Sequence, residues 1–178
     1  MSYIQTISGV HFELEEPRAE NVKMSDIAYA LGRICRFNGH LPKHYSVAEH
    51  SVLVARELYS HERIYGLLHD AAEAYLGDFP SPVKKLMNGY YEKIEAPIME
   101  AIYASLKIKP PSKHTSNNIH DVDMYMRSIE GDKFGISIVW EDKAAPPKNP
   151  PKVLCLSASK ASALWLGDLV QILQVLKG

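Results

Sequence analysis

Apolar side chains recur along most of this chain at intervals of three and four residues, the spacing of a helix that packs by one face. A weaker alternation over residues 7–17 instead predicts a short N-terminal strand or hairpin arm. In chain order, the predicted helices begin at Ser25, Ser46, Glu62, Val83, Tyr90, Asn118 and Ser157. We therefore expect a mostly α-helical fold, a single helical bundle over residues 1–178 with that arm near its start.

Serine residues are expected to cap the N-termini of the first two helices. Ser25 is expected to cap the first helix, which would end at Arg36 and Phe37 and lead into a turn. Ser46 and Glu49 match a capping box, with serine at the N-cap and glutamate three residues later. This box predicts that the second helix opens at Ser46.

Glycine and proline set the remaining boundaries. The third helix is expected to run unbroken over residues 62–76, because Gly77 can end it as a C-terminal cap. Pro97 lies inside the helix that begins at Tyr90 and predicts a kink there. Residues 109–116 are expected to form a loop, and residues 135–152, with two proline pairs, a long connection.

Composition narrows the class of protein. The 178 residues suit one domain, since domains typically span roughly 100–200 residues, and 46% hydrophobic with 23% charged residues excludes a disordered or collagen-like chain. A net charge of −1 gives no reason to expect a polymeric nucleic-acid partner. No apolar run approaches the roughly 18 residues of a membrane span, and no signal-peptide pattern is present, so we expect a cytoplasmic protein. Cys35 and Cys155 have apolar neighbours and are expected in the core rather than in a disulfide.

The third predicted helix carries the first candidates for chemistry. His69, Asp70 and Glu73 would lie along one side of it, and Asp78 follows its glycine stop. The segment is otherwise rich in leucine and alanine, and burying polar groups there without partners costs roughly 1–3 kcal/mol each. A metal ion would supply the missing partner. The alternative is a solvated stripe in which Glu73 pairs with a lysine.

Two more candidates face inward on other helices. His50 falls on the apolar side of the second helix, where a lone histidine is usually a satisfied core residue; the pair His69 and Asp70 makes it a ligand candidate. Asp123 lies on the inward side of the helix from Asn118, whereas Asp121 would face solvent in the first turn. Imidazole and carboxylate together favour Mn, Fe, Co, Ni or Zn over Mg or Ca.

In this order the residues resemble the HD-domain phosphohydrolases. The matching segments are Val47-Ala48-Glu49-His50-Ser51, His69-Asp70-Ala71-Ala72-Glu73, the residues 77–84, and Asp123. Within that superfamily, the chain more closely resembles the bacterial 5′-deoxynucleotidases and the small phage HD hydrolases, which include dATP triphosphohydrolases. The likeness is concentrated in residues 26–85, and it is more specific for the superfamily than for the substrate.

The resemblance implies a role for each matching residue. The implied metal ligands are His50, His69, Asp70 and Asp123. The implied catalytic carboxylates, which act on water and on the leaving group, are Glu73 and Asp78. The implied substrate-binding residues are Arg36, Phe37, Ser81 and Lys84. Phe37 departs from the pattern because some relatives have tryptophan there, and the loop over residues 39–45 is more like that of the phage group.

We therefore expect an enzyme that uses a divalent transition metal to hydrolyse the 5′-phosphate ester of deoxynucleotides. The phage-like loop favours a dATP triphosphohydrolase that releases deoxynucleoside and triphosphate; a 5′-deoxynucleotidase acting on monophosphates is the alternative. A nucleotide-sensing HD protein without turnover is a third candidate, although binding alone would not require both Glu73 and Asp78. The expected partners are the nucleotide and further copies of this chain, with no membrane.

Overall fold

A two-stranded antiparallel hairpin precedes the helices in this computed structural model, which describes residues 2–136 and 149–177. Strand β1 (Tyr3–Gln5) pairs with β2 (His11–Glu13). Phe12 of β2 is fully buried and stacks on Tyr75, with ring centroids 3.7 Å apart. The sequence predicted the arm, and this stacking attaches it to the helices. Most of the predicted connection over residues 135–152 lies outside the described residues.

The rest of the described chain is mostly helical, as predicted. In chain order the helices are α1 (Met24–Leu31), α2 (Val47–Glu57), α3 (Arg63–Leu68), α4 (Glu73–Leu76), α5 (Ser81–Leu86), α6 (Tyr90–Ser105), α7 (Lys113–Phe134) and α8 (Ala158–Lys177). Short 3₁₀ turns occupy Ala19–Asn21 and Arg36–Gly39. Helix α6 continues on both sides of Pro97. Within the described residues, no helix combines the length and the apolar character needed to cross a membrane.

Helix α2 forms the centre of the bundle, packed against α3, α7 and α8. Every residue from Val47 to Ala55 is buried. Because residues 47–55 are enclosed on all sides, the polar side chains among them cannot reach water and must find partners inside the protein. Ser51 does so by donating from Oγ to the carbonyl oxygen of Val47, at 2.9 Å. His50 and Glu49 instead form contacts with other elements.

The carboxylate of Glu49 binds the backbone just before α8. It accepts hydrogen bonds from the N–H groups of Leu154, Cys155 and Leu156, at 2.6, 3.1 and 2.7 Å. Cys155 has φ 58°, a left-handed conformation of the kind that turns successive N–H groups toward one anion. Ser46 caps α2 as predicted, since its Oγ accepts from the N–H of Glu49 at 3.2 Å. The carboxylate half of the predicted capping box is therefore used elsewhere.

A glycine lets α3 approach α2 closely. A β-carbon at Gly66 would lie 3.1 Å from the Cα of Ala55 and would also contact the side chain of Leu58. This close approach brings His69, which follows α3, beside His50 of α2. Trp165 of α8 covers the same region: it is fully buried and donates from its indole nitrogen to the carbonyl oxygen of the residue after Gly66.

The expected boundaries of the first helix are wrong. Helix α1 begins at Met24, with the extended residue Lys23 as its N-cap, so Ser25 lies inside the helix and does not cap it. The helix ends at Leu31. Arg36 and Phe37 therefore belong to the separate 3₁₀ turn, where Phe37 has φ 55°.

The predicted helix over residues 62–76 is divided. Between α3 and α4, the N–H groups of Ala71 and Glu73 bond three residues back, to the carbonyl oxygens of Leu68 and Asp70, at 2.8 and 3.0 Å. Such 3₁₀ bonds tighten the chain and turn its side chains away from a regular helical stripe. Hence His69 and Asp70 lie in a tight turn rather than on the side of one continuous helix.

Helix α7 begins earlier than predicted. Its N-cap is Ser112, whose Oγ accepts from the N–H of Thr115 at 3.1 Å, so most of the expected loop over residues 109–116 is helical or caps the helix. Asp121 is exposed as expected, but it lies in the third turn rather than the first. Cys35 and Cys155 are free thiols that are only partly buried, because each lies at the edge of the core.

Candidate metal centre and adjoining pocket

Two imidazoles meet at the centre of the molecule, with ring centroids 5.3 Å apart. The Nδ1 atom of His50 lies 2.6 Å from Glu130 Oε1, and the Nδ1 atom of His69 lies 2.8 Å from the carbonyl oxygen of Gly66. Ionised carboxylate and carbonyl oxygens only accept hydrogen bonds, so each Nδ1 carries a proton. This leaves each Nε2 as the atom that can bind a further group.

Among the described residues, neither Nε2 atom has a hydrogen-bond partner, although both are buried. Carboxylate oxygens lie close but are not aligned for hydrogen bonds: Asp123 Oδ1 is 3.0 Å from His50 Nε2, and Asp70 Oδ2 is 3.1 Å from His69 Nε2. The ligand atoms of His50, His69 and Asp123 all lie within 4.8 Å of one another. These three residues could hold a metal ion, which would satisfy both nitrogen atoms.

The buried histidines and the carboxylates beside them stabilise one another's charged forms. Burial opposes protonation of His50, but the carboxylates of Glu130 and Asp123 outweigh burial and raise its pKa to about 9. Burial also opposes ionisation of Asp123, yet His50 holds the pKa of that carboxyl far below its usual value. In the same way, His69 outweighs burial and lowers the pKa of Asp70 to about 2. Without a metal, the group therefore favours imidazolium–carboxylate pairs, and a cation would take the place of the Nε2 protons.

Glu130 of α7 was missed from the sequence. Its fully buried carboxylate accepts from Tyr45 Oη at 2.7 Å and from Arg36 Nε at 3.0 Å, in addition to His50 Nδ1. Glu130 follows Asp123 by seven residues, which is two helical turns, so both lie on the same side of α7. That spacing is the one signal in the sequence that could have pointed to it.

A cavity of about 520 Å³ adjoins the histidine pair. Of the ten predicted site residues, eight line it: Arg36, Phe37, Asp70, Glu73, Asp78, Ser81, Lys84 and Asp123. The other two, His50 and His69, contact Asp70 and Asp123 behind the cavity wall. The structure thus brings all ten together, although their individual roles stay predictions. His40 also lines the cavity, and no role was predicted for it.

Two acidic side chains in the cavity are held toward their neutral forms. Burial raises the pKa of Glu73 well above its usual value, and repulsion from Asp70 and Asp78 adds to this. Burial also raises the pKa of Asp78. Lys84 Nζ lies 3.4 Å from Glu73 Oε1 and 4.3 Å from the ring centroid of Tyr91. Carboxyl groups with raised pKa values beside a cavity are suited to exchanging protons with a bound molecule.

Basic side chains line other parts of the cavity. Arg36 is buried, and its Nη1 lies 3.7 Å from Asp70 Oδ2. Its guanidinium carbon is 5.7 Å from the ring centroid of Phe37, as expected for a neighbouring pair. Arg127, which was not predicted, lies one turn after Asp123 and donates from Nη1 to Ser81 Oγ at 3.3 Å. With Lys84, these two arginines give the cavity three cations.

No protein-family model matches the chain. The uncharacterized protein YfdR of Escherichia coli (strain K12) is 44% identical to it over 139 residues, which cover 76% of this chain and 74% of YfdR. An uncharacterized protein of Rhodobacter capsulatus is 35% identical over 107 residues, which cover 54% of each chain. Neither name states an activity.

Proposed function

The chain belongs to the family of the Escherichia coli protein YfdR, and we propose that it is an HD-domain phosphohydrolase that uses a divalent metal to cleave the 5′-phosphate ester of deoxynucleotides. One observation carries the proposal. Two buried imidazole nitrogens, which have no hydrogen-bond partner among the described residues, converge with Asp123 at the wall of a cavity that also holds Glu73 and Asp78. This arrangement supports a site in which the proposed metal ligands and the proposed proton-transfer groups act together.

The donor set suits a transition metal. Asp70 would complete four ligands, because its Oδ2 lies 3.1 and 3.8 Å from the Nε2 atoms of His69 and His50. Two imidazoles and two carboxylates suit Mn, Fe, Co, Ni or Zn, whereas Mg and Ca prefer oxygen ligands alone. When bound, such an ion would supply Lewis acidity at the phosphoryl oxygen and make hydroxide available near neutral pH.

The chain's own residues would then handle protons and charge. Glu73 would act in its ionised form, which Lys84 at 3.4 Å favours, by orienting water and taking its proton as the water oxygen attacks the α-phosphorus. The bond from phosphorus to the nucleoside 5′-oxygen breaks, and Asp78, whose raised pKa favours its protonated form, would give that oxygen a proton. Lys84 and Arg36 would offset the charge of the phosphate.

The number of cations in the cavity supports a triphosphate substrate over a monophosphate. Arg36, Lys84 and Arg127 all line it, and a single phosphate leaves little for the third cation to bind. We favour dATP, with release of deoxynucleoside and triphosphate. Phe37 would lie against the sugar, where a 2′-hydroxyl would be buried without a partner, so deoxynucleotides should be preferred roughly 5- to 150-fold.

A panel of substrates tests the proposal directly. Each deoxynucleoside mono- and triphosphate, with its ribonucleotide counterpart, is incubated with purified protein and Mn²⁺, Co²⁺, Ni²⁺, Zn²⁺ or Mg²⁺. Deoxynucleoside, phosphate and triphosphate are then separated and quantified. We expect metal-dependent release of nucleoside and triphosphate from dATP. Release of phosphate from monophosphates alone would identify the 5′-deoxynucleotidase instead. If no nucleotide is hydrolysed with any of the metals, the proposal is wrong.

The proposal extends to assembly and location. Leu86 of α5 and Tyr90 at the start of α6 are 85% and 68% exposed, so each would offer an apolar contact to a second copy of the chain. We therefore expect copies of the chain to associate, and light scattering on the purified protein measures this. A cytoplasmic location, with access to the nucleotide pool, is the setting in which this activity would operate.

A further inference from the structure

We propose that Glu130 is a positioning residue that couples the metal site to the phosphate-binding arginine, resting on the metal site and the role of Arg36 proposed above. Its carboxylate uses one oxygen for His50 Nδ1 and Tyr45 Oη, at 2.6 and 2.7 Å, and the other for Arg36 Nε, at 3.0 Å. One buried group thus holds a ligand of the metal and a ligand of the substrate at the same time.

The bond to His50 fixes which nitrogen faces the metal. Because the carboxylate can only accept at Nδ1, the ring presents Nε2 to Asp123 and His69. Carboxylates bonded in this way to metal-binding histidines orient the ring and strengthen its binding, and their loss typically weakens metal affinity by about 10- to 100-fold. The fully buried position of Glu130 excludes water as a replacement acceptor.

The bond to Arg36 directs its guanidinium. With Nε held by Glu130, Nη1 lies 3.7 Å from Asp70 Oδ2. The guanidinium therefore lies beside the proposed metal ligands and also lines the cavity. The backbone supports this placement, since the N–H of Arg36 donates to the carbonyl oxygen of Tyr45 at 3.0 Å. The segment that carries Arg36 and Tyr45 is therefore bonded to Glu130 at two points, through the Tyr45 hydroxyl and through Arg36 Nε.

The coupling can be measured with two simple probes that need no turnover. Co²⁺ alone is titrated into metal-free protein, following its absorption, and tripolyphosphate alone is titrated by calorimetry. Glu130→Gln should weaken Co²⁺ binding by about 10- to 100-fold and should also weaken tripolyphosphate binding. Glu62→Gln is the matched control. Glu62 is also a buried glutamate, but it bonds to Asn118 and does not line the cavity, so both affinities should stay unchanged.

A double variant shows whether Glu130 acts through Arg36. The double variant of Glu130→Gln with Arg36→Ala should bind tripolyphosphate no more weakly than Arg36→Ala alone, because both changes remove the same interaction. Fully additive losses would contradict the coupling. Wild-type affinity for Co²⁺ in Glu130→Gln would overturn the proposal.

A spectroscopic readout covers the case in which Glu130→Gln does not fold. In wild-type protein, the ring ¹⁵N signals of His50 should show Nδ1 protonated and hydrogen-bonded, both with and without metal. An unprotonated Nδ1 would overturn the role of Glu130. Failure of the proposed function has a different signature: wild-type protein would then neither bind Co²⁺ nor hydrolyse any nucleotide.

Discussion

His50 and His69 each have a buried ring nitrogen, Nε2, that has no hydrogen-bond partner among the described residues. His50 Nε2 lies 3.0 Å from Asp123 Oδ1 without forming an aligned hydrogen bond. When the ring is neutral, a buried nitrogen without a partner costs roughly 1–3 kcal/mol, and a metal ion bound at that nitrogen would remove the cost. Asp121 lies two residues before Asp123 on the same helix but is exposed. It therefore provides a comparison between a surface acid and the proposed ligand.

Removing one ligand should release the metal. His50→Ala or Asp123→Ala leaves an incomplete set of donors, so we expect metal occupancy and activity to fall to background. Occupancy is measured by elemental analysis after purification without chelators. Asp121→Ala is the control and should keep both. Full occupancy and turnover in Asp123→Ala would show that this aspartate is not a ligand.

Glu73 should affect catalysis without affecting metal binding. Glu73→Gln removes a proton acceptor but none of the three grouped ligand residues, so kcat should fall by about 10²- to 10⁴-fold while metal content is retained. Steady-state kinetics and elemental analysis on the same sample check this. The exposed Glu92→Gln serves as control. Loss of metal in Glu73→Gln would make Glu73 a ligand rather than a base.

Among the helices, the boundaries that could be predicted were those set by residues close together in the sequence. The cap at Ser46 and the start of α6 at Tyr90 follow local rules, and both are confirmed. The division between α3 and α4 does not follow from periodicity, because helical and 3₁₀ turns share nearly the same spacing of apolar residues. The early start of α7 was missed because polar residues follow Ser112 and conceal the helix.

The prediction of the site was likewise limited where hydrogen bonds join residues that are far apart in the sequence. The ten candidates were found from spacing within single helices and from resemblance. Glu130 was missed because its partners Arg36, Tyr45 and His50 are 94, 85 and 80 residues away in the chain. Only the packing of α7 on α2 brings these residues together. The seven-residue spacing from Asp123 indicates the side of α7 on which Glu130 lies, but it does not identify these three partners.

Gly66 provides a test at the scale of elements. Gly66→Ala would force α3 away from Ala55 of α2, so we expect a loss of roughly 1–3 kcal/mol in the free energy of unfolding and weaker metal binding. Urea denaturation and Co²⁺ titration measure the two effects. Gly167→Ala is the matched control, since its β-carbon would meet no atom within 4 Å and it should be stabilising by about 0.5–1 kcal/mol. Equal stability of the two variants would contradict the close packing.

For the whole molecule, the buried histidines link stability to pH. The pKa of His50 is raised from 6.5 to about 9, so its stabilising contribution is complete below pH 6.5 and is lost as the pH rises through 9. The pKa of His69 is raised as well and acts in the same direction. The metal-free protein should therefore be less stable at alkaline pH than near neutrality.

Urea unfolding of metal-free protein at intervals from pH 6 to pH 10 should show this decline. Protein loaded with Co²⁺ is the comparison. Its decline should be smaller, because the ion rather than a proton occupies Nε2 of His50 and His69. A metal-free protein whose stability rises between pH 6.5 and 9 would contradict the raised pKa values.

The burial of α2 beneath α8 has a consequence for the order of events on the ribosome. Trp165 of α8 covers α3, and Glu49 needs the amides of residues 154–156, all of which are translated after every residue of the site. While those residues are still inside the exit tunnel, the nascent chain can form its hairpin and single helices, but Glu49 has no partner and the neighbouring His50 is not held in place. We therefore expect the proposed metal ion to bind only after α8 has emerged, to a folded protein rather than to a growing chain.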